Sequence, residues 1–344
     1  MIAWLTTLRS TVRSTSCVLS CAAALLLAAG CQPAPARVPA AVSPHSPGPA
    51  AASSVRATPS SIPSATPVPL VPDFGHIVMI VLENKEFGVV VGNPQMPYFN
   101  ALAASYTLLT AHYAVTHPSL PNYLAMISGE TFGLDYNCDD CLFQAPTLPD
   151  SIEASGRTWK TYQEDMPSSC YDQPYYNLYA IKHNPFMYFE SIRLDRERCN
   201  ESVVPFMELY TDIAAENVPD YLFITPNLCN DAHDCGLRVA DDWLHDLMLV
   251  LQPALAVKGE PYLIIVTWDE GQGNHSCCGL PEEAGGRIAT VLVSPQAKVG
   301  FHDNTPYTHY SILKTVAEAW KLPYLGQAAQ PMNMLITLPW ESYP

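Results

Sequence analysis

Two continuous apolar runs organise this chain. One is Ile77-Val78-Met79-Ile80-Val81-Leu82, closing a segment that starts at His76; the other is Tyr262-Leu263-Ile264-Ile265-Val266-Thr267-Trp268. Runs this short and β-rich, with so few polar positions, belong to strands buried on both faces, as in parallel sheets. Thr158–Gln163, Tyr221–Thr225 and Ile288–Ser294 read as further strands. Helical patterns fall between them at Tyr98–Ser105, Pro149–Gly156, Phe206–Ala215, Asp241–Gln252 and Ser311–Trp320. In the Asp241–Gln252 segment, Trp243, Leu244, Leu247 and Leu251 form one stripe. Another helix is expected at Tyr123–Ser128, with Pro121 suited to its first turn. Strands alternating with helices predict an α/β fold: three layers, a mostly parallel central sheet and helices on both faces. Sites in such sheets form beyond the carboxyl ends of the strands.

The amino-terminal part does not share this pattern. Arg9 and Arg13 precede a small, apolar run from Cys17 to Gly30, too short to span a bilayer. It ends in Leu27-Ala28-Ala29-Gly30-Cys31, which resembles a lipoprotein signal with Cys31 as the lipidated residue; Ala28 stands where Leu is usual, so plain secretion is the alternative. Residues 32–72 are Pro-, Ala- and Ser-rich with almost no charge, the composition of a disordered tether. Three regions follow: a signal with lipobox over 1–31, a tether over 32–72 and a catalytic domain over 73–344. Both export readings place the protein outside the cytoplasm, as a surface lipoprotein with a membrane anchor or as a secreted protein.

Formal charge is −16 over 344 residues, and an acidic exterior argues against nucleic acid as a partner. Of eleven cysteines, eight lie beyond Cys31, an even number that implies up to four disulfides in an exported protein. Cys138/Cys141 and Cys229/Cys235 are close enough for local loops, whereas adjacent Cys277 and Cys278 are expected to bond to separate partners.

The candidate chemistry sits at the ends of the two apolar runs. Glu83-Asn84 follows the first directly and Asp269-Glu270 follows the second, in a chain only 15% charged. Their side chains all offer oxygen, which suits one hard divalent cation. Ser119, in Thr116-His117-Pro118-Ser119-Leu120-Pro121-Asn122-Tyr123, is a hydroxyl that such a metal could share and activate. His233, His309, His183 and His117 stand in loops and are candidates to bind a phosphoryl oxygen or protonate a leaving alcohol. Gly285-Gly286-Arg287 precedes a strand and lacks a P-loop ending, so it reads as a turn. No Gly-x-Ser-x-Gly elbow is present.

Taken together, these motifs resemble the bacterial phosphoesterase family of acid phosphatases and phospholipases C, within the alkaline phosphatase superfamily. The carriers are His76–Asn84, Thr116–Ala125, Glu164-Asp165-Met166-Pro167, His183-Asn184-Pro185-Phe186, Asp231-Ala232-His233-Asp234, Trp268-Asp269-Glu270-Gly271 and Thr308-His309-Tyr310-Ser311. The resemblance implies an alkaline phosphatase-like fold and Ser119 as nucleophile. It also implies one divalent metal ion (Mg, Ca, Mn or Zn) held by Glu83, Asn84, Asp269, Glu270 and Ser119. His233 then takes a catalytic role, and His309, His183 and His117 bind substrate. The implied reaction is phosphate-ester hydrolysis through a phosphoserine. The alternatives are a phospholipase C-type diesterase and a non-catalytic ligand-binding lipoprotein. A sulfatase reading is weakened by Tyr123, which stands where Arg would be needed.

Overall fold

The computed structural model describes residues 70–340 except Lys258. The expected signal and lipobox and residues 32–69 of the expected tether lie outside the described residues; Val71, expected in the tether, is buried in the core. Strands β1 (His76–Leu82), β2 (Thr107–Tyr113), β3 (Trp159–Gln163), β6 (Val203–Pro205), β7 (Tyr221–Thr225), β8 (Tyr262–Trp268), β9 (Arg287–Val293), β10 (Phe301–Asp303) and β11 (Tyr307–Thr308) form one sheet. β4 (Tyr175–Tyr176) and β5 (Tyr179–Ala180) form a separate hairpin. The order across the sheet is β10-β2-β9-β8-β1-β7-β3-β6, with β11 also on β2. All pairings are parallel except those of β9, which runs antiparallel to β2 and β8.

The continuous apolar runs behave as expected. β1 lies at the centre between β7 and β8, and every residue of β1 and β8 is buried. Alternate residues of β1 feed two cores: Ile77, Met79 and Val81 on one face, Val78, Ile80 and Leu82 on the other. Helices Ser119–Ser128 and His309–Ala319 cover the first face, and Leu237–Ala256 contributes Leu244, Leu247 and Leu251 to the second. This is the three-layer arrangement that fully apolar strands require.

Two elements depart from the pattern. β2 carries Thr110 and His112 among its leucines and changes register between Leu109 and His112, so its sequence shows neither a clean run nor an alternation. The helix expected from Tyr123 begins at Ser119 instead. Pro121 is no obstacle there, because the first-turn N–H groups of a helix have no intrahelical acceptor. Ser119 therefore stands at the first helical position rather than in a loop before it.

Four disulfides join Cys138–Cys141, Cys170–Cys199, Cys229–Cys235 and Cys277–Cys278. The last pair corrects the expectation of separate partners: the other six cysteines satisfy one another, leaving the two neighbours to join. Among the described residues, no helix is long and apolar enough to cross a membrane.

Phe223 on β7 is fully buried against Phe186 and Tyr123, under the nucleophile helix. Phe223→Ala should cost about 3–5 kcal/mol of unfolding free energy, read as a lower urea midpoint at unchanged m-value. An unchanged midpoint would contradict this packing.

Candidate active site

The carboxyl ends of β1, β8, β7 and β2 bring the candidate residues to one edge of the sheet. Glu83 and Asn84 leave β1, Asp269 and Glu270 leave β8, and the turn holding Asp231 follows β7. Ser119 arrives from the segment after β2. Its hydroxyl donates to Glu83 Oε2 at 3.0 Å and also favours the ionised form of the Asp269 carboxyl. Asn84 has a left-handed backbone (φ 57°), a conformation Asn tolerates better than most residues. That turn directs its N–H to Asp269 Oδ1 at 2.9 Å, while its side-chain amide donates to Glu83 Oε2 at 2.6 Å.

The segment leading to Ser119 is held from within. The fully buried Asn122 accepts from the N–H groups of Val115 and Thr116 at 3.0 and 3.2 Å and donates to the carbonyls of Thr116 and Pro118 at 2.8 and 3.1 Å. Asn137, next to the Cys138–Cys141 loop, accepts from the N–H of Leu120 at 3.0 Å. The Gly285-Gly286 turn packs against the same segment: Ala114 donates to the Gly286 carbonyl at 3.0 Å, and a Cβ on Gly285 would strike the Thr116 carbonyl. These glycines serve close backbone approach, not phosphate binding.

Glu83, Asp231 and Asp269 are completely buried. Burial is the main cause that pushes all three carboxyl groups up. Asp231 reaches about 8 and Asp269 about 7, and Glu83 is raised well above its ordinary value by burial with added repulsion from Asp269 and Asp231. Each has one oxygen with no hydrogen-bond partner among the described residues: Glu83 Oε1, Asp231 Oδ2 and Asp269 Oδ2. His183 Nε2 approaches Glu83 Oε1 at 3.1 Å and its Nδ1 approaches Asp231 Oδ2 at 3.5 Å, but Nε2 and both oxygens remain without a hydrogen bond. The His183 ring stacks on Tyr123, and burial holds its pKa well below the ordinary value. Buried carboxylate oxygens without donors are costly unless a cation meets them. An all-oxygen set of this kind fits a hard divalent ion.

The remaining candidates fall into three places. His117 and Glu270 pair beside Ser119: Nδ1 is 2.5 Å from Glu270 Oε2 and Nε2 is 3.2 Å from the Gly273 carbonyl. Both neighbours are acceptors, and the hydrogen bond to Glu270 is the main cause that raises the His117 pKa. Glu270 is thus engaged by an imidazole rather than facing the central carboxylates alone. His233 lies at the rim, with Nδ1 2.6 Å from Asp234 Oδ1 and Nε2 3.4 Å from Lys182 Nζ. His309 sits behind β8. Its Nε2 donates to the backbone carbonyl of Asp269 at 2.6 Å, its ring packs on His112, and burial lowers its pKa to about 4. Its other nitrogen, Nδ1, has no partner among the described residues.

Sequence reasoning passed over Asp231 and Lys182 as site residues. The signal was present: Asp231 opens the segment that ends in His233-Asp234, and Lys182 immediately precedes His183. The Cys229–Cys235 bridge closes the loop that carries Asp231 and His233. Among the described residues, one group of three Cys, His, Asp or Glu ligand atoms lies within 4.8 Å of one another: Cys138, Asp140 and Cys141. Its sulfurs are joined in a disulfide, so it is no metal site, and the acidic groups at the strand ends are spaced more widely. A groove of about 400 Å³ lined by His76, Ile213, Val218, Leu249, Val250 and Val257 lies at the opposite strand ends and is mostly aliphatic.

Comparison with known proteins agrees with this fold. The Phosphoesterase family model matches residues 92–323, more than half of the chain. A phosphatidylinositol-3-phosphatase of Mycobacterium tuberculosis is 31% identical over 75% of this chain and 80% of its own length. A phosphate-repressible acid phosphatase of Penicillium chrysogenum is 35% identical over 76% of this chain and 63% of its own. The chain therefore spans less than two thirds of the length of that fungal relative. A solved structure of an alkaline phosphatase superfamily protein from Vibrio parahaemolyticus superposes with TM-score 0.52 at 11% identity, over 80% of this chain and 75% of that one. The chain belongs to the phosphoesterase family, and its fold is that of the alkaline phosphatase superfamily.

The buried carboxyls generate a pH dependence. Asp231 and Asp269 have folded pKa values of about 8 and 7 against an ordinary 3.8. A raised folded value stabilises fully below the unfolded value and is lost as pH rises through the folded one. The metal-free protein should therefore lose stability between pH 3.8 and about 8, and a divalent cation should restore more of it at the upper end than at the lower. Urea unfolding across that range tests this; a rising stability in metal-free protein would contradict it.

Proposed function

We propose that this protein hydrolyses phosphate esters through a phosphoserine formed on Ser119, with one divalent cation. The observation that carries the reading is the Ser119 hydroxyl, 3.0 Å from Glu83 Oε2, among three buried carboxylates with unpartnered oxygens. Glu83, Asn84, Asp269 and Ser119 would hold the cation, with Asp231 and Glu270 adding negative charge around it. The cation supplies Lewis-acid stabilisation of phosphoryl charge and lowers the pKa of the serine hydroxyl.

Ser119 Oγ attacks phosphorus and gives its proton toward Glu83 Oε2, with which it already bonds. The P–O bond to the alcohol breaks, and the alcohol leaves with a proton from solvent; His233 at the rim accepts from Lys182 at Nε2 and orients that ammonium. Water then attacks the phosphoserine, releasing inorganic phosphate and returning the hydroxyl. Asn122 fixes the loop before Ser119, and the His117–Glu270 pair flanks it, so the nucleophile needs little rearrangement. The relatives' names, acid phosphatase and phosphatidylinositol-3-phosphatase, support phosphate monoesters as the substrate class. The four disulfides support an oxidising, exported location, with lipidation of Cys31 as the anchoring device.

Ser119→Ala should lower kcat on nitrophenyl phosphate at least about a thousandfold, and brief acid quenching with labelled substrate should trap phosphate on Ser119 in the wild type. Turnover within tenfold of wild type, or label on another residue, would defeat the nucleophile assignment.

A further inference from the structure

Lys182 is a buried ammonium whose only direct contact is an imidazole. It is 8% exposed, and among the described residues it forms no direct ion pair with a carboxylate. Its one hydrogen-bonding contact is His233 Nε2 at 3.4 Å. An ammonium has three donors and no acceptor, so two N–H groups remain for another ligand. Lysines are almost never this buried without a partner. A half-buried lysine elsewhere in the fold shows the usual solution: Lys160 Nζ meets Asp212 Oδ2 at 2.7 Å.

The position of Lys182 decides what that ligand is. It follows the β4–β5 hairpin and directly precedes His183, whose ring borders Glu83 and Asp231. Lys182 is close enough to both carboxyls to favour their ionised forms, yet forms no direct pair with either. His233 Nδ1 faces Asp234, and its Nε2 faces Lys182. Because Asp234 can only accept when ionised, the imidazole donates from Nδ1 and receives the ammonium at Nε2. Lys182 thus stands beside a cluster of buried carboxyl groups without pairing directly with any of them.

This inference rests on the phosphoesterase reading and deepens it to a substrate class. A phosphodiester brings one negative charge to the site; a phosphate monoester brings two at neutral pH. One divalent cation is already outnumbered by Glu83, Asp231, Asp269 and Glu270. The second phosphoryl charge needs a cation from the protein. We propose that Lys182 binds a non-esterified phosphoryl oxygen and makes the site selective for dianionic phosphate monoesters over diesters. Such a fixed charge, aimed at the phosphoryl oxygens in a site largely closed to water, acts on the transition state as well as on binding.

The test compares wild type, Lys182→Met and Lys182→Arg on nitrophenyl phosphate and on bis-nitrophenyl phosphate, with inorganic phosphate as competing inhibitor. Lys182→Met should lose about a hundredfold or more in kcat/KM on the monoester and less than tenfold on the diester. Inhibition by inorganic phosphate should weaken in parallel, and Lys182→Arg should recover part of the monoester rate. If the Met variant keeps the monoester rate within threefold, or loses both esters equally, the proposal is wrong while the phosphoesterase reading stands. A wild type inert toward every ester defeats both. Should the Met variant not fold, amine acylation of wild type followed by peptide mass spectrometry decides: inorganic phosphate must protect Lys182, and an unprotected Lys182 overturns the assignment.

Discussion

Three carboxyl groups buried side by side repel one another, and most features of the site edge exist to hold them there. Glu83, Asp231 and Asp269 come from three different strand ends, so no local segment could bring them together. The central pairing β8-β1-β7 fixes their spacing through the full backbone ladder of buried parallel strands. Around that frame, Asn84 ties Glu83 to Asp269, and the Cys229–Cys235 loop presents Asp231. The fold spends stability on this arrangement, as functional sites commonly do. Left alone, the cluster relieves its repulsion by favouring the protonated carboxyls; on the proposed reading a divalent cation would take the place of those protons.

The two sides of the cluster divide the work. On the nucleophile side, Ser119 begins a helix and is held by Asn122 and the Gly285-Gly286 turn, with the His117–Glu270 pair as its neighbour. On the opposite side, His183 borders Glu83 and Asp231, and Lys182 contacts His233 beside it. An anionic ester is attracted to the rim and to a bound cation, and repelled by bare carboxylates. On the proposed reading, metal loading and substrate binding would be linked through charge.

Much of this was legible in the chain. The apolar runs Ile77–Leu82 and Tyr262–Trp268 announced two central buried strands, and the acidic doublets directly after them marked the carboxyl edge. Helix stripes gave the outer layers. What escaped had physical reasons. β2 mixes Thr110 and His112 with leucines because it pairs with the antiparallel strand β9 across a register shift, and no simple period results. The start of the helix at Ser119 was hidden by Pro121, which looks like a boundary but is harmless in a first turn. Asp231 and Lys182 acquire meaning only from tertiary contacts with Glu83 and His233, which no short sequence window contains. The Cys277–Cys278 bond likewise follows only when the other six cysteines are seen to pair.

The central claim is that the strand-end carboxyls hold protons until a cation displaces them. Titration calorimetry of the metal-free protein with Mg²⁺, Ca²⁺, Mn²⁺ or Zn²⁺, at roughly pH 6 in buffers of different ionisation enthalpy, measures binding and proton release together. The account predicts one cation per chain, protons released on binding, and loss of both in a Glu83→Gln, Asp269→Asn double variant. Failure of every cation to bind, or binding and proton release unchanged in that variant, would contradict it.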